Sequence, residues 1–126
     1  MEESLSFKIL IVEDQRALRM VMSRLLTKLG HQVEAVESGP AAIAALDQFC
    51  PEVIFSDISM PEMNGYELVR LLRQREELTG TYFVAMTGMG KQSDDDSVRD
   101  SRFDEHLVKP VDVERLQQLF EQLSRR

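Results

Sequence analysis

Short apolar runs of strand length alternate along this chain with stretches whose apolar residues recur at helical spacing. Lys8-Ile9-Leu10-Ile11-Val12 is apolar almost throughout and breaks at Glu13-Asp14, which is the signature of a strand buried on both faces. Leu18, Val21, Met22, Leu25, Leu26 and Leu29 then fall at three- and four-residue steps, predicting one helix with a single apolar face that stops at Gly30. Gln32 to Val36 reads as a second strand. Ser38-Gly39-Pro40 opens a second helix, with proline suited to the first helical position and Ile43, Leu46 and Phe49 as its inner face.

Pro51 restarts the chain, and Val53-Ile54-Phe55-Ser56-Asp57 is a third strand that again ends on an acid. A loop runs to Gly65. Leu68, Leu71 and Leu72 mark a third helix ended by Thr79-Gly80, and Tyr82 to Met86 is a fourth strand stopping at Thr87-Gly88. His106-Leu107-Val108 forms a short fifth strand running into Lys109-Pro110. Asp112 is expected to cap a last helix whose inner face is Leu116, Leu119, Phe120 and Leu123. A fourth helix between Lys91 and Arg102 is the weakest expectation, because Ser93-Asp94-Asp95-Asp96-Ser97 is polar and Val98 is almost its only apolar residue. Local mobility is expected there, with hydrogen exchange faster than in the flanking strands.

Five strands alternating with five helices predict an α/β fold, a five-stranded parallel sheet with helices on two faces joined by right-handed crossovers. The flavodoxin-like strand order 2-1-3-4-5 is expected by analogy with known sheets of this kind, since nothing in the residues fixes it. Residues 1–7 read as a leader and 8–124 as a single domain.

Composition narrows the function. Among 126 residues 43% are hydrophobic and 29% charged, the balance of a globular chain, and the net charge of -7 with no basic stripe argues against direct contact with nucleic acid. Cys50 is the only cysteine, so no internal disulfide can form. The acidic start Met1-Glu2-Glu3-Ser4 is unlike a secretory signal, and no apolar run is long enough to span a bilayer. Cytoplasmic residence without a membrane partner is the expectation.

Ligands of such sheets bind at the carboxyl ends of the strands. Those ends carry Glu13 and Asp14 from the first strand, Asp57 from the third, Thr87 from the fourth and Lys109 from the fifth. Three carboxylates gathered there would repel one another unless a cation neutralised them, and their hard oxygens suit Mg2+, with Mn2+ as a substitute. Asp57, alone at the end of the central strand, is the candidate nucleophile toward phosphorus, and the Glu13-Asp14 pair suits the metal. The backbone carbonyl of Ser59 is a further candidate ligand. Lys109 would face the metal across the phosphoryl group, and Thr87 would donate a hydroxyl hydrogen bond to a phosphoryl oxygen.

Each residue also has a plainer reading. Glu13-Asp14 could simply sit at a helix start, Asp57 and Thr87 could be turn residues, and Pro61 with Asn64-Gly65 could be turn formers around packing methionines. His31, after the Gly30 stop, reads as an exposed loop residue.

Together, Ile11-Val12-Glu13-Asp14, Asp57-Ile58-Ser59-Met60-Pro61-Glu62-Met63-Asn64-Gly65, Thr87-Gly88 and Phe103-Asp104-Glu105-His106-Leu107-Val108-Lys109-Pro110 resemble the receiver domain of two-component response regulators, chemotaxis regulators included. The likeness runs from about Lys8 to Leu123. It implies that Asp57 takes a phosphoryl group from a histidine kinase or histidine phosphotransfer protein, that Glu13 and Asp14 bind Mg2+, that Thr87 and Lys109 sense the phosphate, and that the Lys109-Pro110 peptide is cis. It also implies a phosphoacceptor that assists its own phosphorylation and dephosphorylation rather than an enzyme, signalling to a downstream protein by contact, as a monomer or a phosphorylation-dependent dimer.

Two positions depart from that pattern. His106 stands where the family often has tyrosine or phenylalanine, so a Thr87–His106 switch with some pH sensitivity is expected. Arg102 stands where a glycine is common, so the preceding helix end is expected to differ. Of three alternatives, two are disfavoured by the residues present. A dehalogenase-like phosphatase would need an acid at Ser59, and a flavin-binding domain would need a neutral loop at Glu13-Asp14. The third is a pseudo-receiver that switches without phosphate. The chain is either a free-standing receiver or a piece of a hybrid kinase or larger regulator.

Overall fold

The structure, a computed structural model, describes residues 6–88 and 102–125. Strands β1 (Lys8–Val12), β2 (Gln32–Val36), β3 (Val53–Asp57), β4 (Tyr82–Thr87) and β5 (Glu105–Val108) form one sheet. All neighbours pair in parallel, in the order β2-β1-β3-β4-β5. The expected fold class and strand order therefore hold. Helices α1 (Arg16–Lys28), α2 (Gly39–Ala45), α3 (Gly65–Leu72) and α4 (Val113–Ser124) complete the described elements, with a 3-10 turn at Glu76–Leu78. The further helix expected between Lys91 and Arg102 lies outside the described residues, apart from Arg102 itself.

Alternation along the strands sorts the interior into two layers. Ile9, Ile11, Val53, Phe55, Val84 and Met86 point to one face, where Met22 and Leu26 of α1 and Leu116, Leu119, Phe120 and Leu123 of α4 cover them. Leu10, Val12, Ile54 and Phe83 point to the other, under Ala42 and Leu46 near α2 and Leu68, Val69 and Leu72 of α3. No helix among the described residues is long and apolar enough to cross a membrane.

Local chemistry explains most boundaries. Gly30 adopts φ 103°, a left-handed conformation that ends α1 without a Cβ clash. Ser38 caps α2 by accepting from the Ala41 N–H at 3.1 Å. Asn64 and Gly65 start a helix instead of forming the turn of their plainer reading. Asn64 is the N-cap of α3, exchanging hydrogen bonds with Glu67 in a capping box, and the left-handed residue of that loop is Glu62 at φ 71°. The Lys109-Pro110 peptide is cis, as the resemblance implied.

Several expectations need correction. The third helix ends at Leu72 rather than near Thr79, because the chain turns into the 3-10 segment that buries Leu78. Val21 and Leu71 sit at helical spacing yet are 61% and 44% exposed, so the apolar faces of α1 and α3 are narrower than their sequences suggest. Asp112 occupies the N-cap position of α4 but its side chain makes no capping hydrogen bond.

His31 is buried rather than exposed. Its Nδ1 accepts a hydrogen bond from the Phe7 N–H at 3.0 Å, and its ring lies 4.2 Å from that of Phe120. Burial pushes its pKa below the ordinary histidine value. A group that protonates more readily unfolded than folded stabilises the fold above its unfolded pKa, and that contribution is lost as pH falls through about 6.5. Urea unfolding between pH 7.5 and 5.5, values chosen to span roughly that pKa, should therefore show a smaller loss of stability in His31→Gln than in the parent chain.

Candidate functional site

The carboxyl ends of β1, β3 and β5 meet at one point. One carboxylate oxygen each from Glu13, Asp14 and Asp57 lies within 4.8 Å of the others, and the Lys109 ammonium reaches Glu13 Oε1 at 2.8 Å and Asp57 Oδ1 at 3.4 Å. The expected acids and the expected lysine are thus brought together. Glu13 is 1% exposed and uses every polar group it has. Its N–H donates to the Val36 carbonyl, its Oε2 accepts from the Gln15 N–H, and its carbonyl accepts from Arg19 Nη1 at 2.9 Å.

Asp57 is buried at the end of the central strand. Burial and the neighbouring Glu13 charge push its pKa up to about 6, and Lys109 offsets only part of that rise. Burial also works against the Lys109 ammonium, but its hydrogen bond to Glu13 and the charges of Asp57 and Glu13 outweigh this and raise its pKa. The site therefore carries more negative charge than one lysine balances. Its donor set is all carboxylate oxygen, which suits a hard divalent cation.

Thr87 and Ser59 are less buried than Asp57. Thr87 ends β4, half-buried, with its hydroxyl 3.5 Å from the Leu107 carbonyl and no bond to the acids. Ser59 is exposed in the loop after β3. His106 is half-buried on β5, its ring edge-on to Phe103 at 5.9 Å and its Nε2 without a hydrogen-bond partner among the described residues. Burial, against an opposing contribution from Glu105, lowers its pKa, which favours the neutral ring. Arg102 holds its carbonyl toward Arg73, whose Nη2 donates to it at 2.6 Å.

The profile of the response regulator receiver domain family matches residues 9–121. The chain belongs to that family. Its receiver is 30% identical over 126 residues to the virulence sensor protein BvgS of Bordetella bronchiseptica, covering 96% of this chain but only 10% of that protein. It is 32% identical over 109 residues to protein PilH of Pseudomonas aeruginosa, covering 86% of this chain and 90% of PilH. Among solved structures, the receiver domain of a Pseudomonas aeruginosa sensor histidine kinase superposes with a TM-score of 0.82. It is 26% identical, covers 93% of this chain and 96% of that one, and has a magnesium ion coordinated in its active-site cleft. The chain is thus a receiver domain of two-component systems, spanning about nine tenths of PilH but only about a tenth of BvgS.

One contact was not legible in the sequence. Gly65, the first residue of α3, sits so close to the end of β3 in this receiver that a Cβ there would lie 2.6 Å from the Asp57 carbonyl oxygen and 3.0 Å from Ile58 Cα. Both are backbone atoms and cannot swing aside. Gly65→Ala is expected to destabilise the receiver by about 1–3 kcal/mol in urea unfolding, the usual effect of overpacking. Gly80→Ala, with nothing within 4 Å of the added methyl, should be neutral or slightly stabilising.

Proposed function

We propose that this receiver accepts a phosphoryl group on Asp57 from a histidine kinase or histidine phosphotransfer protein and passes the signal to a downstream protein by contact. The observation that carries this reading is the placement of a buried, partly uncompensated Asp57 carboxylate 3.4 Å from the Lys109 ammonium, beside two further acids. A carboxylate oxygen of Asp57 attacks phosphorus, the P–O bond forms as the P–N bond of the donor phosphohistidine breaks, and the imidazole leaves with the bonding pair. Lys109 meets the negative charge of the transferring oxygens from its position between Glu13 and Asp57.

Glu13, Asp14, Asp57 and the Ser59 carbonyl are the residues that would hold Mg2+. Once bound, the ion neutralises carboxylate and phosphoryl charge, which is most of what phosphoryl transfer requires. Mn2+ would serve at the same oxygens. In this reading the chain is a phosphoacceptor that assists its own phosphorylation and dephosphorylation, not an enzyme acting on a separate substrate. A cytoplasmic setting suits a donor kinase, and the active form is a monomer or a phosphorylation-dependent dimer.

Thr87 is assigned the sensing of phosphate, exchanging its long contact with Leu107 for a phosphoryl oxygen, and His106 the coupled movement. The buried Nε2 of His106, without a hydrogen-bond partner among the described residues, supports this, because an outward rotamer would let water satisfy it. Identical His106 rotamers in the free protein and in a beryllofluoride complex would refute the coupling.

The main test is incubation with acetyl phosphate and Mg2+, followed by intact-mass measurement. The parent chain should gain one labile phosphoryl group and Asp57→Asn none. A parent chain that gains none would instead be a pseudo-receiver, switching without phosphate.

A further inference from the structure

The turn between β1 and α1 must hold Glu13 and Asp14 side by side against their mutual repulsion. It contains only Glu13, Asp14 and Gln15. The side chain of Gln15, at the N-cap of α1, makes no capping hydrogen bond, so the helix start is not tied down in the usual way. Arg19, one turn into α1 and half-buried, reaches back instead, and its Nη1 donates to the Glu13 carbonyl at 2.9 Å.

That carbonyl belongs to the peptide joining Glu13 to Asp14. Because a peptide is planar, holding its oxygen restricts the plane that carries the Asp14 nitrogen and Cα, the base from which the Asp14 side chain departs. Glu13 has other restraints, through Lys109, Gln15 and Val36. Among the described residues the Asp14 carboxylate accepts no such bond, and Asp14 is less buried than Glu13. We infer that Arg19 is a positioning residue for divalent-cation binding, orienting the Asp14 carboxylate through the Glu13–Asp14 peptide. The inference rests on the proposed metal-binding role of Glu13 and Asp14.

Two effects of Arg19 oppose each other. Its positive charge disfavours a nearby cation, while its hydrogen bond presents a ligand correctly. The charge is partly solvated and lies beyond a peptide group from the carboxylates, so screening weakens it. Loss of a group that orients a ligand typically lowers metal affinity by about 10–100-fold, so orientation should dominate.

Calorimetric titration of the full chain with MgCl2, repeated with MnCl2 by electron paramagnetic resonance, reads this without any phosphoryl transfer. Arg19→Ala should bind both ions about 10-fold more weakly or worse, and Arg19→Lys should recover most of the affinity because it keeps a donor of similar reach. Arg24→Ala, which removes the same charge from an exposed site on α1, should change little. Unchanged or tighter binding by Arg19→Ala, or an equal loss in Arg24→Ala, would overturn the inference. If circular dichroism shows Arg19→Ala unfolded, Arg19→Gln decides in its place, with weakened uptake in support and unchanged uptake against. Absence of Mg2+ binding in the parent chain would instead defeat the metal-binding reading itself, a result distinct from equal binding by parent and variants.

Discussion

Lys109→Ala is expected to slow acetyl-phosphate labelling of Asp57 by about 10²–10³-fold, the usual loss when one preorganised electrostatic contact to a transition state is removed. The same substitution should weaken the metal-free protein. Glu13 and Asp57 are both buried and share the Lys109 ammonium as counter-charge, at 2.8 and 3.4 Å. Without it two carboxylates face each other away from water, and breaking a buried pair from one side costs about 3–5 kcal/mol when the remaining charge cannot be solvated. Part of that loss should be avoided by protonation of Asp57, whose pKa already stands near 6. Urea unfolding in chelator and in saturating Mg2+ checks this. The gap between Lys109→Ala and the parent should narrow when the cation is present, because a divalent ion replaces the missing charge. Lys109→Arg keeps the charge but exchanges a compact ammonium for a planar fork, and should fall between the two.

Phe120→Ala is expected to destabilise the receiver by about 3–5 kcal/mol, the range for truncating a buried aromatic. Phe120 is 3% exposed, and its ring centroid lies 4.2 Å from His31, 5.5 Å from Phe7 and 6.2 Å from Phe55. It joins the segment before β1, the α1–β2 junction, β3 and α4 in one ring cluster. None of these rings belongs to the cluster of Glu13, Asp14, Asp57 and Lys109. The unfolding midpoint should therefore fall while the labelling rate, measured well below that midpoint, stays near that of the parent. Phe120→Leu retains most of the volume and should lose markedly less.

The elements carried by the period of the apolar residues were legible from the chain. β1, β2 and β3 lie where their apolar runs place them, and the inner face of α4 is the one its spacing gives. The meeting of Glu13, Asp14, Asp57 and Lys109 was legible too, since parallel strands put all their carboxyl ends on one side. Contacts that the order of the strands does not dictate were not. His31 looked like a loop residue because its partners, Phe7 and Phe120, come from opposite ends of the chain and leave no periodic trace around it. Gly65 looked like half of an Asn-Gly turn, and only the approach of α3 to the Asp57 carbonyl shows why a side chain has no room there. The end of α3 was misjudged because Leu78 continues the apolar spacing through a segment that changes to a 3-10 turn.

The ion pair between Glu13 and Lys109 joins positions 96 residues apart. During synthesis the three acids leave the ribosome long before their counter-charge is made. A nascent chain that stops short of β5 holds carboxylates that repel one another with only ambient cations to quiet them. Closing so long a loop is also entropically unfavourable, so this contact is expected to form late in folding. Premature termination before Lys109 thus yields chains that retain the acid cluster but lack the ammonium that serves it, and translation must run nearly to the last helix before a competent site exists.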